Sequence, residues 1–266
     1  MDAYCNYIPE EELWFQFEMA LGELDKYQVQ EENASYYLDY GDENWKDSAN
    51  HDFQFMIEQD LAFASYIPYY FKKWIEQIDT NVLPLVSKRI INNTCKILNF
   101  NYTDTLERAY KVPAENILYI HGKALSSKKL VVGHHDISTF QYGAVSPFNA
   151  AEEHGIYIQD DDEDFRITET KEIIKAYFQK TYKDTFGIIQ MNQNFFDSLI
   201  NINEIFILGH SLSSVDMDYF VEIRKRVLHS CKWYISYFSE SDLDNMEYFA
   251  KRLDIKNFQP VMLSNL

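Results

Sequence analysis

Apolar positions recur at two different periods along the chain, and the change of period falls near residue 93. Before it, the stripes are helical. Leu13, Trp14, Phe17, Leu21 and Leu24 follow the i, i+3, i+4 spacing of an amphipathic helix. Ile67, Tyr70, Phe71, Trp74, Ile75 and Ile78 form a second stripe, with Pro68 marking a start or a kink. Between them, Glu31 to Asn50 is polar and rich in Asp and Asn, and reads as a loop. A further helix is expected to end before Asn92-Asn93. Beyond that point short apolar runs alternate with helical ones. Strands are expected at Cys95–Phe100, Ile117–Ile120, Leu130–Gly133, Glu204–Leu208, Lys232–Phe238 and Phe258–Leu263. Helices are expected at Thr103–Tyr110, Glu169–Phe186, Gln190–Ile200, Ser214–Leu228 and Ser241–Leu253, and Ile173, Ile174, Tyr177, Phe178 and Tyr182 share one face of the second. Such alternation points to an α/β fold, a parallel sheet flanked by helices, with a helical N-terminal region.

Length favours one domain spanning 1–266: a mainly helical part over 1–92 and an α/β part over 93–266. The stretch from His135 to Thr168 is the least regular, and reads as a loop insertion near 135–168. It holds Pro147 and the acidic run Asp160-Asp161-Asp162-Glu163-Asp164, which is expected to be a solvated turn.

A net charge of -18 argues against general nucleic-acid binding and against an anionic membrane surface, because both require clustered Lys and Arg. Cys5, Cys95 and Cys231 are widely spaced and form no CxxC pair, which suits a reducing, cytoplasmic setting rather than a zinc ribbon or a disulfide frame. No apolar stretch reaches membrane-spanning length, and Met1-Asp2-Ala3-Tyr4 lacks the basic-then-apolar pattern of a signal peptide.

Three polar signatures directly follow expected strands: Asn99-Phe100-Asn101-Tyr102-Thr103-Asp104, His121-Gly122 and Gly209-His210-Ser211-Leu212. In open α/β sheets ligands bind beyond the carboxyl ends of the strands, so three parallel neighbours in one sheet would bring an amide, a carboxylate, an imidazole and a hydroxyl to one cleft. Each signature also has a purely structural account. Thr103 or Asp104 would cap a helix, with Glu107 at capping-box spacing. His121 would be a hydrogen-bonded strand-end residue. Ser213 or Ser214 would cap the helix after Gly209. The chemical account gives Asn101 a ribose hydroxyl or a water to hold, Asp104 the charge that steadies a developing oxocarbenium ion, and His121 the work of general base. Gly122 would let backbone approach a ligand closely. His134, His135 and Asp136, with His121, His154 or His210, invite a metal reading, but no pair has HExxH spacing and no Cys is near, so no metal is expected.

Asn99–Glu107, Ile120–Gly122, Val131–His134 and Leu208–Phe220, the last ending Asp216…Asp218-Tyr219-Phe220, occur in an order that resembles the bacteriophage abortive-infection AbiH family. That family is in turn similar to the sirtuin-like, Rossmann-like fold, in which such signatures line an NAD pocket. The resemblance implies a phage-defence protein of the NAD glycohydrolase kind, cleaving NAD to nicotinamide and ADP-ribose. Carried over by position, Asn101, Asp104 and His121 are its catalytic residues. Tyr102, Gly122, Gly209, Ser211 and Asp216 are its dinucleotide-binding residues, Asp216 without an assigned role. Two departures follow. Thr103 stands between Tyr102 and Asp104, where sirtuin-like proteins have Asn-Tyr-Asp. Family members also open with a strand and a Gly-Asn-Gly-Phe-Asp-Leu turn, and nothing like it precedes Trp14. Without that turn the cofactor phosphates would be held weakly, and an open sheet edge would invite a homo-oligomer. The alternative reading is therefore a catalytically silent nucleotide-sensing or protein-binding defence module. A metal nuclease is disfavoured by the charge, and sirtuin-type deacetylation by the absence of a zinc ribbon.

Overall fold

The computed structural model describes residues 17–84, 86, 87, 90–140 and 164–266. Cys5, the Trp14 end of the first expected helix, Pro147, His154 and Asp160–Glu163 of the acidic run lie outside the described residues. In chain order the elements begin with α1 (Phe17–Ala20), α2 (Lys26–Glu32), α3 (Ala49–Leu61) and α4 (Ile67–Ile75). They continue with β1 (Ile97–Asn99), α5 (Thr105–Ala109), β2 (Ile117–Tyr119), α6 (Phe165–Thr181), α7 (Thr185–Met191) and α8 (Gln193–Asp197). The last are β3 (Glu204–Ile207), α9 (Met217–Arg226), β4 (Lys232–Tyr237), α10 (Ser241–Arg252) and β5 (Phe258–Met262). The fold is mixed α/β with parallel strands, as the change of period implies.

Two compact units share the chain. One is built from residues 1–68 and 132–183, the other from 69–131 and 184–266. In the first, α3 buries Phe53, Ile57 and Leu61 at i, i+4, i+8, and α6 buries Ile167, Ile174, Tyr177 and Phe178. Leu21, Leu24 and Val29 complete this core. Tyr182 falls beyond the end of α6, and Ile173 is only half-buried, so the expected five-residue stripe narrows to three.

A charged knot closes the same unit. Lys183 is completely buried and its Nζ lies 2.7 Å from Glu18 Oε2, while Glu18 Oε1 accepts the Gly133 N–H at 3.2 Å. His134 pairs with Tyr182 in a single parallel bridge. Leu130–Gly133 is consequently not a strand: Val131 N–H has one backbone partner, His121 O at 2.9 Å, and no ladder continues from it. At Gly133 a Cβ would stand 2.1 Å from the Thr181 carbonyl oxygen, which leaves no room for any side chain. Gly133→Ala should therefore cost about 3 kcal/mol of stability, since the backbone itself must give way. Gly41→Ala, where a Cβ meets nothing within 4 Å, should change the urea midpoint by almost nothing.

In the second unit the five strands found among the described residues form two sheets rather than one. β1 and β2 pair in parallel, with Ile97 opposite Ile117 and Asn99 opposite Tyr119. β3, β4 and β5 form a separate parallel sheet in that order. The expectation that β1, β2 and β3 are strands of a single sheet is corrected: among the described residues β3 bonds only to β4. Central β4 carries the core residues Trp233 and Ile235, and Phe206 of β3 stacks on its partner Tyr234 at 4.6 Å. Two further elements differ from expectation. Glu31–Asn50 begins within α2 and holds a 3-10 turn at Ala34–Tyr36, and no further helix follows α4 before Asn92 among the described residues. No described helix is long and apolar enough to cross a membrane.

Candidate functional site

β1 stops because Asn99 turns its own side chain onto the backbone: Oδ1 accepts the Asn101 N–H at 3.0 Å, an Asx turn that ends the ladder. Phe100 is thereby thrown into the interior of the second unit. Its ring meets His210 edge-on at 4.4 Å, His121 at 5.6 Å and Tyr219 at 5.7 Å, and stacks on Phe220 at 5.4 Å. This ring draws the signatures after β1, β2 and β3 together, although their strands lie in two sheets.

His121 directly follows Ile120 at the end of β2 and is only 2% exposed. Gly122, at φ +88°, makes the turn that a side chain would resist, because a Cβ there would lie 3.2 Å from Lys129 O. The imidazole is enclosed by Phe100, by Tyr219 at 5.5 Å and by Tyr102 at 6.0 Å. Tyr102 is itself fixed by its hydroxyl, which donates to Val131 O at 2.8 Å. His121 Nε2 stands 3.2 Å from Asp216 Oδ1. The buried Nε2 makes no hydrogen bond among the described residues and lies at ion-pair distance from that carboxylate.

The turn after β3 supplies the rest. Gly209, at φ +62°, donates its N–H to Ser236 Oγ on neighbouring β4 at 2.8 Å. Leu212, also at positive φ, donates its N–H to His210 Nδ1 at 2.8 Å. With Nδ1 acting as acceptor, a neutral His210 carries its proton on Nε2, which faces Asp216 Oδ2 at 3.5 Å. Asp216, buried in the 3-10 turn Ser214–Asp216, thus sits between two imidazoles, one against each oxygen.

The other expected residues divide. Asn101 and Ser211 are exposed, and neither side chain makes a hydrogen bond among the described residues. Asp104 occupies the N-cap position of α5 without capping it. Its Oδ1 instead accepts from Thr80 Oγ1 at 2.8 Å and its Oδ2 from Arg108 Nε at 2.7 Å. Burial alone would raise the Asp104 carboxyl, but those hydrogen bonds and the Arg108 and Lys123 charges outweigh it and hold the group below the usual carboxylate range. Glu107 completes no capping box, taking Lys123 Nζ at 2.7 Å and the Tyr119 hydroxyl, whose pKa is driven far up by burial and by that carboxylate. His134 is buried, its ring bonded to Phe178 O and its basicity lowered by burial. Among the described residues no three His, Cys, Asp or Glu side chains could hold a metal ion.

Phe100 and His210 stand inside the signatures, but sequence reasoning gave Phe100 no role of its own and His210 only a place among possible metal ligands. The signal for His210 was its seven-residue frame, Gly-His-Ser-Leu-Ser-Ser-Val before Asp216, which lets the carboxylate fold back beneath the turn. The family model described as "Bacteriophage abortive infection AbiH" matches residues 3–237. No curated protein and no solved structure matches the chain.

Proposed function

The chain belongs to the bacteriophage abortive infection AbiH family, and from that premise we propose that it acts in phage defence by hydrolysing the N-glycosidic bond of NAD. The observation that carries this reading is the buried His121 imidazole held 3.2 Å from the Asp216 carboxylate. An imidazole backed by a carboxylate is suited to take a proton from water.

In the proposed reaction the C1′–nitrogen bond breaks and its electron pair leaves with nicotinamide. A water oxygen bonds to C1′ and gives its proton to His121 Nδ1, while Asp216, facing Nε2–H, steadies the resulting imidazolium. The products are nicotinamide, ADP-ribose and a proton. Asn101 holds a ribose hydroxyl through its amide, while Tyr102, Gly122, Gly209 and Ser211 seat the dinucleotide. Asp104 contributes fixed negative charge at the start of α5. His210 is a positioning residue, acting on His121 only through Asp216. Because His121 is shielded by Phe100 and Tyr102, substrate entry requires one of these rings to swing aside.

The same shielding, with the pairing of Asp104 to Arg108, favours a second reading, a module that binds a nucleotide without cleaving it. Incubating the chain with NAD separates the two. Nicotinamide and ADP-ribose should accumulate in equal amounts. Saturable NAD binding with no product would assign the silent module, and neither binding nor product would remove NAD from the account.

A further inference from the structure

In a chain with 42 Asp and Glu, two stretches of the second unit, 69–75 and 116–131, hold no acidic residue and carry five lysines. The structure places them side by side, because Lys72 on α4 donates through Nζ to Ser126 O in the loop that follows His121-Gly122. That loop is tied down at both ends: Ala124 donates its N–H to Tyr102 O and Val131 to His121 O, each at 2.9 Å. Lys73 pairs with Glu76 at 3.0 Å and Lys123 with Glu107 at 2.7 Å. Lys128 and Lys129 are exposed, and neither they nor Lys72 has an acidic partner among the described residues.

A cationic loop is ordinarily just solvated, but α4 turns aromatic rings to solvent beside this one. Tyr69, Tyr70 and Trp74 are 58%, 66% and 42% exposed. With Lys73 they stand at i, i+1, i+4 and i+5, on one side of the helix. The opposite side is fixed: Ile75 is buried, and the Phe71 ring meets Tyr102 edge-on at 4.9 Å. The outward rings therefore cannot be buried by a rotation of α4. Aromatic side chains ordinarily supply buried area, and an apolar patch left in water and rimmed by charge marks an interaction surface.

We infer that the outward side of α4 and the loop from Gly122 to Leu130 bind single-stranded nucleic acid. Unpaired bases present flat faces that stack on Tyr69, Tyr70 and Trp74, while the backbone phosphates fall to the lysines. A duplex keeps its bases stacked on one another and offers mainly phosphate charge, which a chain of net charge -18 repels at long range. An anionic membrane meets the same repulsion. It also fits less well because Tyr69, Tyr70, Lys73 and Trp74 include no aliphatic chain to enter the acyl layer. The surface is independent of whether His121 acts on NAD.

The test is fluorescence anisotropy of the full chain with labelled oligothymidylate and oligouridylate over a salt series. A mixed-sequence duplex, inorganic polyphosphate and phosphatidylserine vesicles are offered in parallel as competitors. The single strands should bind saturably, with log affinity falling against log salt by about 0.7 per phosphate engaged. Tyr69→Ala/Tyr70→Ala, at exposed positions and checked for folding by circular dichroism, should weaken binding about tenfold or more, while Tyr69→Phe/Tyr70→Phe should retain it. Lys128→Gln/Lys129→Gln should weaken it too and reduce the salt slope by about 1.4. Lys251→Gln, an exposed lysine of α10, should bind as the wild type does. No saturable binding of either strand would overturn the assignment, as would unchanged binding by the folded Tyr69→Ala/Tyr70→Ala chain. Duplex or polyphosphate competing as well as the single strands would reduce the surface to diffuse charge and overturn it. Vesicles competing better would hand it to a membrane and overturn it equally.

Discussion

Arg166→Ala should lower the stability of the first unit by about 3–5 kcal/mol, the largest effect expected of any single substitution away from the strand-end cluster. Arg166 is 1% exposed, a rare condition for an arginine. Its Nε lies 3.0 Å from both Asp164 oxygens, Nη2 reaches Asp164 Oδ2 at 2.5 Å, and Nη1 donates to Leu38 O at 2.7 Å. The guanidinium also lies over Tyr37 at 4.0 Å and Tyr40 at 4.5 Å, and Tyr37 donates its hydroxyl to Asp164 at 2.9 Å. Removal leaves a half-buried carboxylate, a carbonyl and two aromatic faces without their cation. Arg166→Lys should recover only part of the loss, because an ammonium cannot reproduce the planar fork.

The pH dependence follows from the same contact. The Arg166 hydrogen bonds hold the Asp164 carboxyl below its ordinary 3.8 in the folded state. The stability it contributes is complete above that value and is lost as pH falls through the depressed folded value. The gap between wild type and Arg166→Ala should thus be widest near neutrality and narrow in acid. At the alkaline end, burial and then Asp164 push the Tyr37 hydroxyl up to about 12 from 10.0, so its share of stability declines as pH rises between those values. Urea unfolding across pH measures both limbs. A constant gap down to strong acid would contradict the clamp.

Local pattern was enough to find most elements. β4 and β5 match their apolar runs to within a residue, and α10 ends one residue short of expectation. The starts and joins were harder. α6 begins at Phe165 because Asp164, the last member of the acidic run, accepts the Arg166 N–H as its N-cap, and a charge run does not announce which member will cap. α2 was missed because it buries only Val29 and Gln30, too few positions to make a stripe. The two-sheet arrangement was invisible because a strand's own residues show that it is extended, not which neighbour it bonds. Signatures after β1, β2 and β3 still converge, but through the Phe100 ring and the Asp216 carboxylate rather than through a shared ladder. Those two groups act over distances along the chain that no local period reports.

His121 carries the other large effect, and it is also the most direct test of the central claim. His121→Gln keeps a polar side chain of similar bulk in the aromatic enclosure but removes the ring nitrogen that takes the proton. Asp216→Asn keeps the shape of its side chain and removes the charge beside both imidazoles. Loss of a general base costs about 10²–10⁴ in rate. Asn101→Asp should also fail, since a carboxylate accepts hydrogen bonds but cannot donate as the amide does. Nicotinamide released from NAD should therefore be measured for the wild type, His121→Gln and Asp216→Asn, with folding of each checked by circular dichroism. The account predicts turnover by the wild type and at least a hundredfold loss in both variants. Equal turnover by wild type and folded His121→Gln would contradict it.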